Sequence, residues 1–423
     1  MKTIKHSSWL RLDNAAKLYP SVESSRQPNL FNISAVLKDE VNPEQLQQAV
    51  NEILPRFPCF SVQLRKGIFW YYFDQLDTNP AVQKEGDFPC PRLDRKTDGK
   101  FMFRVVYSMH RVGVEFFHAI TDGYGGLAFL KTLLLAYLRL CGHTIPEGSG
   151  IFEPSSLPKP EEAEDAYGLL YKRIKRKPER KKGAFHVSGP LEPPGILHLI
   201  TAKIPLKELK SLSRSYNVTI TEYLTAIYIF ALYRIQKMKS IRKQPIRIQV
   251  PVNLRGLFHT ETLRNFSLFV RPEINPALGE YTFEEIVKLV HHSIQYELQT
   301  KYLAAAVNAN VALEKLFIVK ILPLWLKKMI VSFVFNNFGE NLHSGTLSNL
   351  GLIDLPEEMK QQIVDIEIVL GHSKINTENC GLVGYGDFLH ITFTRTTKDT
   401  AVTREFFSLL AQMGLTVTIT RSL

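Results

Sequence analysis

Two stretches of the chain share one pattern of apolar and polar positions. In the first, "LFNISAVLKDEVNPEQLQQAVNEILPRFP", the run from Leu30 to Leu37 reads as a strand. Asn42, Pro43 and Gln45 then supply a side-chain cap, a first-turn proline and a capping-box partner for a helix. Leu46, Ala49, Val50, Ile53 and Leu54 follow at helical spacing and make one apolar face. The second stretch, "ILHLITAKIPLKELKSLSRSYNVTITEYLTAIYIFALYRI" from Ile196, repeats the plan with a strand and an amphipathic helix near Leu206 to Ser213. Thr219 and Glu222 form a capping box for a further helix, apolar nearly all round and so expected to be buried.

Between these stretches lies "PEGSGIFEPSSLPKPEEAEDAY", rich in Pro, Gly, Ser and acid, with the basic run "YKRIKRKPERKK" at 171–182 behind it. It is the poorest candidate for a packed core. The expected division is an N-terminal lobe over 1–155, a linker or crossover over 156–190 and a C-terminal lobe over 191–423. Strands and helices alternate without the regular spacing of a doubly wound sheet, and no glycine-rich fingerprint for a dinucleotide or P-loop is present. The fold class is α+β, in two lobes.

"RVVYSMHRVGVEFFHAI" contains two strand-type runs with a turn near Arg111. Val112, Val114, Phe116 and His118 share a face by period-two alternation, so His118 ends a strand. Asp122 stands where a helix cap belongs, and Leu127, Leu130, Leu134, Tyr137, Leu138 and Cys141 recur at helical spacing behind it. Taken alone, His118 and Asp122 fit a core histidine beside an aspartate cap as well as they fit a catalytic pair. Gly123, Gly125 and Gly126 lower helix propensity where the helix should start, and close approach of backbone to a ligand is the expected reason.

Composition narrows the alternatives. The 423 residues are enough for two domains or one large bilobed unit, and 45% apolar with 22% charged residues is ordinary for a globular protein. The net charge of +11 is partly concentrated in 171–182. Such a run is a solvated face, or it attracts nucleic acid, acidic lipid or an anionic cofactor such as coenzyme A. No zinc finger or RNA-binding signature supports a nucleic-acid partner. Cys59, Cys90, Cys141 and Cys380 lack metal-type spacing and read as free thiols of a reducing cytoplasm, with no metal site. The start of the chain has no signal-peptide core, so the expected location is cytoplasmic. "VALEKLFIVKILPLWLKKMIVSFVF" at 311–335 is interrupted by Lys315, Lys320, Lys327, Lys328 and Pro323. It predicts amphipathic segments, or a surface-seeking helix, rather than an integral membrane span.

"HAITDG" resembles the His-x-x-x-Asp-Gly motif of coenzyme A-dependent acyltransferases. These include chloramphenicol acetyltransferase, alcohol acetyltransferases, polyketide-associated acyltransferases and the condensation domains of nonribosomal peptide synthetases. "RLDNAAKLYP", "LQQAVNEILPRFPCFSVQL", "VPVNLRG" at 250–256 and "TLSNLG" at 346–351 occur in the order such enzymes show. Phe117 stands where many relatives carry a further histidine, and the Asp-Phe-Gly-Trp-Gly motif of plant acyltransferases is missing. The chain therefore looks closer to stand-alone bacterial alcohol acetyltransferases than to the plant enzymes.

The resemblance implies two chloramphenicol acetyltransferase-like lobes, mixed sheets flanked by helices, with an active-site tunnel between them. It implies transfer of an acyl group, by default acetyl, from acyl-coenzyme A as co-substrate to a hydroxyl or amine of a small-molecule acceptor. His118 would be the general base, and no permanently bound cofactor is required. Asp122 and Gly123 would shape the motif, Arg255 would pair with Asp122, and Ser348 and Asn349 are oxyanion or substrate candidates. The alternatives are a free-standing condensation enzyme taking carrier-protein thioesters and a non-catalytic bilobed binding protein.

Overall fold

The computed structural model describes residues 9–94, 100–147, 150–172, 182–239 and 243–422. Local chemistry sets the helix starts. The Asn42 side chain accepts from the amides of Glu44 and Gln45 at 3.0 and 3.1 Å, opening the helix Pro43–Ile53. Gln45 does not close a reciprocal box; its amide donates to the Leu140 carbonyl and so ties this helix to Gly123–Leu140. Thr219 and Glu222 do form the reciprocal box, at 2.8 and 3.2 Å, ahead of Ile220–Lys239. That helix buries Tyr223, Leu224, Ile227, Tyr228 and Leu232. With Leu206–Ser215, bent from it by 79°, it has the length and composition of a broken span, yet it is the core of its lobe. Among the described residues no single helix is long and apolar enough to cross a membrane.

One five-stranded sheet runs in the order Ile363–Leu370, Leu30–Leu37, Arg111–Phe117, Phe103–Ser108, Gln83–Lys84. A second has eight strands around Ile246–Asn253, Gly345–Ile353, Glu378–Tyr385, Phe388–Arg395 and His198–Pro205, and Trp9–Arg11 with the hairpin Val62–Lys66 and Tyr71–Gln75 makes a small third sheet. Gly345–Ile353 lies parallel to both of its neighbours, so the second sheet is mixed. The sequence boundaries need one correction. Ile363–Leu370, from the segment assigned to the C-terminal lobe, pairs antiparallel with Leu30–Leu37, with Ile366 opposite Ala35 and Ile368 opposite Ile33. Ile366, Ile368 and Val369 are buried in the first lobe's core, and without them Leu30–Leu37 would be an open sheet edge.

The crossover is also more than a linker. Glu162 lies in it and is buried, taking both forks of the equally buried Arg56 guanidinium at 2.6 and 2.8 Å. The Glu162 carbonyl accepts from the Leu263 amide of the other lobe at 2.8 Å. Ala166 and Tyr167 are buried beside it, and the Tyr167 hydroxyl donates to the Ser267 carbonyl at 2.6 Å. Composition hides this because the Glu162 charge is neutralised by Arg56, 106 residues away in sequence. Most of the basic run, 173–181, lies outside the described residues.

Candidate active site

The strand Arg111–Phe117 delivers His118 to a cavity of about 320 Å³ between the two sheets. Its walls include Leu30 and Phe31 from the first sheet, Gln249, Thr346 and Ser348 from the second, and Phe335 from the helix Leu324–Phe338. The half-buried His118 ring stacks on Tyr19, with centroids 4.6 Å apart, and meets Phe31 at 4.9 Å.

Asn265 decides the proton on that ring. Its amide nitrogen donates to the carbonyls of His118 and Ala119 at 2.9 and 3.4 Å, which turns its oxygen toward the imidazole Nδ1 at 3.3 Å. An oxygen there accepts a hydrogen bond, so Nδ1 carries the proton and Nε2 keeps its lone pair. Burial among the aromatic rings holds the His118 pKa below its usual value, against the opposing pull of Asp122. The imidazole is therefore neutral at pH 7, and basic at one nitrogen.

Two other histidines reach the cavity wall. His343 is pushed down to about 3 by burial and by the Arg271 guanidinium, and its Nε2 is occupied at 2.9 Å by the Asn376 amide. His372 is pushed down to about 4 by burial, which makes it a weak base. His118 is the histidine suited to take a proton.

Asp122 does something different. It caps Gly123–Leu140 through the amides of Tyr124 and Gly125, at 3.2 and 3.4 Å. It also accepts both forks of Arg255 at 2.9 and 3.1 Å, and the Phe266 amide at 2.9 Å. Both partners of this inter-lobe pair are buried. The carboxylate is filled by these contacts, none of which is to the imidazole.

The glycines correct an expectation. A Cβ on Gly125 would stand 2.1 Å from the Leu263 carbonyl oxygen and 2.2 Å from the Thr121 hydroxyl, while one on Gly126 would press on Phe116 and Phe31. Protein, not ligand, makes the close approach at both; Gly123 alone of the three lines the cavity. Gly125→Ala should therefore cost roughly 1–3 kcal/mol or more, read as a lowered melting temperature, because backbone must move.

Ser348 and Asn349 part company. They are adjacent on the strand Gly345–Ile353, so their side chains point to opposite faces. Ser348 lines the cavity with Thr346. Asn349 donates to the Thr221 hydroxyl at 2.9 Å and accepts from the Gly351 amide at 2.8 Å. It braces a strand irregularity between Asn349 and Leu352 and does not line the cavity. Asn265 was missed from the sequence; it is 147 residues from His118, and no local pattern marks it. Among the described residues no cluster of His, Cys, Asp and Glu could hold a metal ion.

Known structures place this architecture. TRI101 of F. sporotrichioides, in complex with coenzyme A and T-2, superposes with a TM-score of 0.67 at 12% identity, over 97% of this chain and 100% of that one. TRI3 trichothecene 15-O-acetyltransferase from Fusarium sporotrichioides gives 0.60 at 11%, over 97% and 96%. The condensation domain of the Monacolin K polyketide synthase MokA gives 0.56 at 12%, over 96% and 97%. The chain has the condensation-domain-like acyltransferase fold. Within that acyltransferase fold, residues 180–372 match the alcohol acetyltransferase family, somewhat under half of the chain. The matched stretch holds Arg255, Asn265 and Ser348, and leaves His118 and Asp122 outside it. No curated protein matches the chain.

Proposed function

We propose that this protein transfers an acyl group from a coenzyme A thioester to the hydroxyl of a small-molecule acceptor, with His118 as general base. The observation that carries this reading is the His118 ring on the cavity wall, its Nδ1 directed at Asn265 and its Nε2 left basic. In the reaction Nε2 takes the acceptor proton as the oxygen attacks the thioester carbonyl. The tetrahedral intermediate collapses, the carbon–sulfur bond breaks, and the imidazolium returns the proton to the departing thiolate. No protein nucleophile is needed; burial pushes the Cys59 thiol up to about 12 and Cys90 and Cys380 upward as well. Ser348, on the same wall, is the side-chain donor we assign to the developing oxyanion. The alcohol acetyltransferase match and the acetyltransferases among the structural neighbours favour a hydroxyl acceptor and an acetyl donor.

The test is a matrix of acyl-coenzyme A donors against pooled alcohols and amines, following free thiol. Acceptor-dependent release with an alcohol is expected. Release only with carrier-protein thioesters would transfer the protein to the condensation reaction, and none with any donor would leave a binding protein.

Acidity supplies a second check. The working base is neutral imidazole, and burial disfavours its protonated form. The kcat/KM profile should therefore be flat at neutral pH and fall on acidification, with its acid limb below the unperturbed histidine value of about 6.5. An acid limb above that value would contradict the assignment.

A further inference from the structure

We propose that the outer face of the helix Leu324–Phe338, with the hairpin tip at Ile68 and Phe69, docks on a lipid bilayer carrying anionic headgroups. The helix is apolar nearly all round, with Leu324 and Phe335 turned inward and a second apolar stripe turned outward. Trp325, Met329 and Phe333, four residues apart on one stripe, are 66, 63 and 65% exposed, and Ile330 and Val334 stand beside them. Two of its polar residues point inward. Lys327 is buried, donating to the Phe69 carbonyl at 2.8 Å with its ammonium 3.7 Å from the Trp70 ring centre. Ser332 donates to the Ser21 carbonyl at 2.8 Å. An amphipathic helix on a globular surface turns its apolar stripe to the core. This one turns a further apolar stripe to the outside.

The hairpin tip extends the same face. Ile68 is 78% exposed, Phe69 is also exposed, and the Ile68 carbonyl accepts from the Leu324 amide at 3.0 Å, so tip and helix are held together. Charge names the occupant. Exposed Arg65 and Lys66 precede the tip, and exposed Lys320 and Lys328 flank the helix start, on a chain of net charge +11. A cavity of about 730 Å³ beside the patch has Trp9, Trp70, Arg11, Lys17, Lys315 and Lys320 on its walls, with Glu314 as its one acid among the described residues. Aromatic and aliphatic side chains bordered by basic ones fit the headgroup–acyl boundary, whereas a protein partner's core contact is depleted of lysine. Fifteen residues are too few to span a bilayer, so the helix lies along its surface.

The patch is continuous with the reaction cavity. Phe335, on the inner side of the same helix, and Gly339 just beyond it both line the cavity that holds His118. If the acyl-transfer reading holds, on which this clause rests, a lipophilic acceptor passes from bilayer to base along one helix.

The test uses the full chain and vesicles of phosphatidylcholine with or without phosphatidylglycerol. Flotation with the anionic vesicles is expected, weakening roughly tenfold or more on neutral vesicles or in high salt. Trp325 fluorescence should shift to the blue and be quenched by brominated acyl chains. The triple variant Trp325→Ser, Met329→Ser, Phe333→Ser should lose flotation yet keep its melting temperature and its turnover of a short water-soluble alcohol. Failure of the parent chain to float at low salt overturns the proposal, as does undiminished flotation of a folded triple variant. A dimer that the triple variant splits would assign the face to a second copy. Should the variant fail to fold, quenching in the parent chain decides alone. Flotation in a chain that turns over no thioester would retain the docking surface and remove the acyl-transfer reading.

Discussion

His118→Ala is expected to lower acceptor-dependent thiol release by roughly 10²–10⁴-fold, the usual contribution of a positioned general base. Circular dichroism and melting should stay near those of the parent chain. The substitution keeps the backbone bonds at this position, the amide to the Asn29 carbonyl and the carbonyl to the Asn265 side chain. What it removes is an imidazole already half-exposed to the cavity, with its stacking on Tyr19. Full turnover in this variant would refute the base assignment. Lost folding together with lost turnover would return His118 to a packing role.

The second large effect concerns stability. Asp122→Asn and Arg255→Ala should each destabilise the fold by roughly 3–5 kcal/mol, because each leaves a buried polar group without its counterpart. Asp122 accepts five hydrogen bonds, two from Arg255, two from the helix start and one from the Phe266 amide. The double variant should cost clearly less than the sum, since the first substitution already breaks the shared pair. Denaturant melts of the four proteins measure this. Asp122 also acts on the imidazole at a distance, its negative charge pulling the His118 pKa upward. Asp122→Asn should thus move the acid limb of the rate profile further down. Parent-like stability with an activity loss as large as that of His118→Ala would make Asp122 a direct partner of the base.

What the sequence revealed was local. The Asn42 cap, the Thr219–Glu222 box, the strand ending at His118 and the helix behind Asp122 follow from the chemistry of a few successive residues. The resemblance pointed to Arg255 as the partner of Asp122, and the structure brings the two together. Other features depend on groups that meet only after folding. Asn265 comes from the opposite lobe, and nothing in "LRNFSLF" distinguishes it from a loop asparagine. Glu162 is one acid of a segment whose composition offers no packed core, and only the fold sets Arg56 against it. Ile363–Leu370 joins a sheet whose other strands lie far earlier in the chain, and no periodicity names the sheet that receives it. Ser348 and Asn349 are neighbours on one strand, and period-two alternation turns one of them to the cavity and the other away.

That late strand also sets a timetable for biosynthesis. Leu30–Leu37 leaves the ribosome long before its neighbour, since Ile363 follows Leu37 by 326 residues (363 − 37). At about 5–20 residues per second, the earlier strand waits on the order of tens of seconds with one hydrogen-bonding edge uncovered. A nascent chain in that interval is a natural client for a holding chaperone. Faster elongation shortens the exposure, and the soluble yield of this protein should depend on translation speed through residues 38–362.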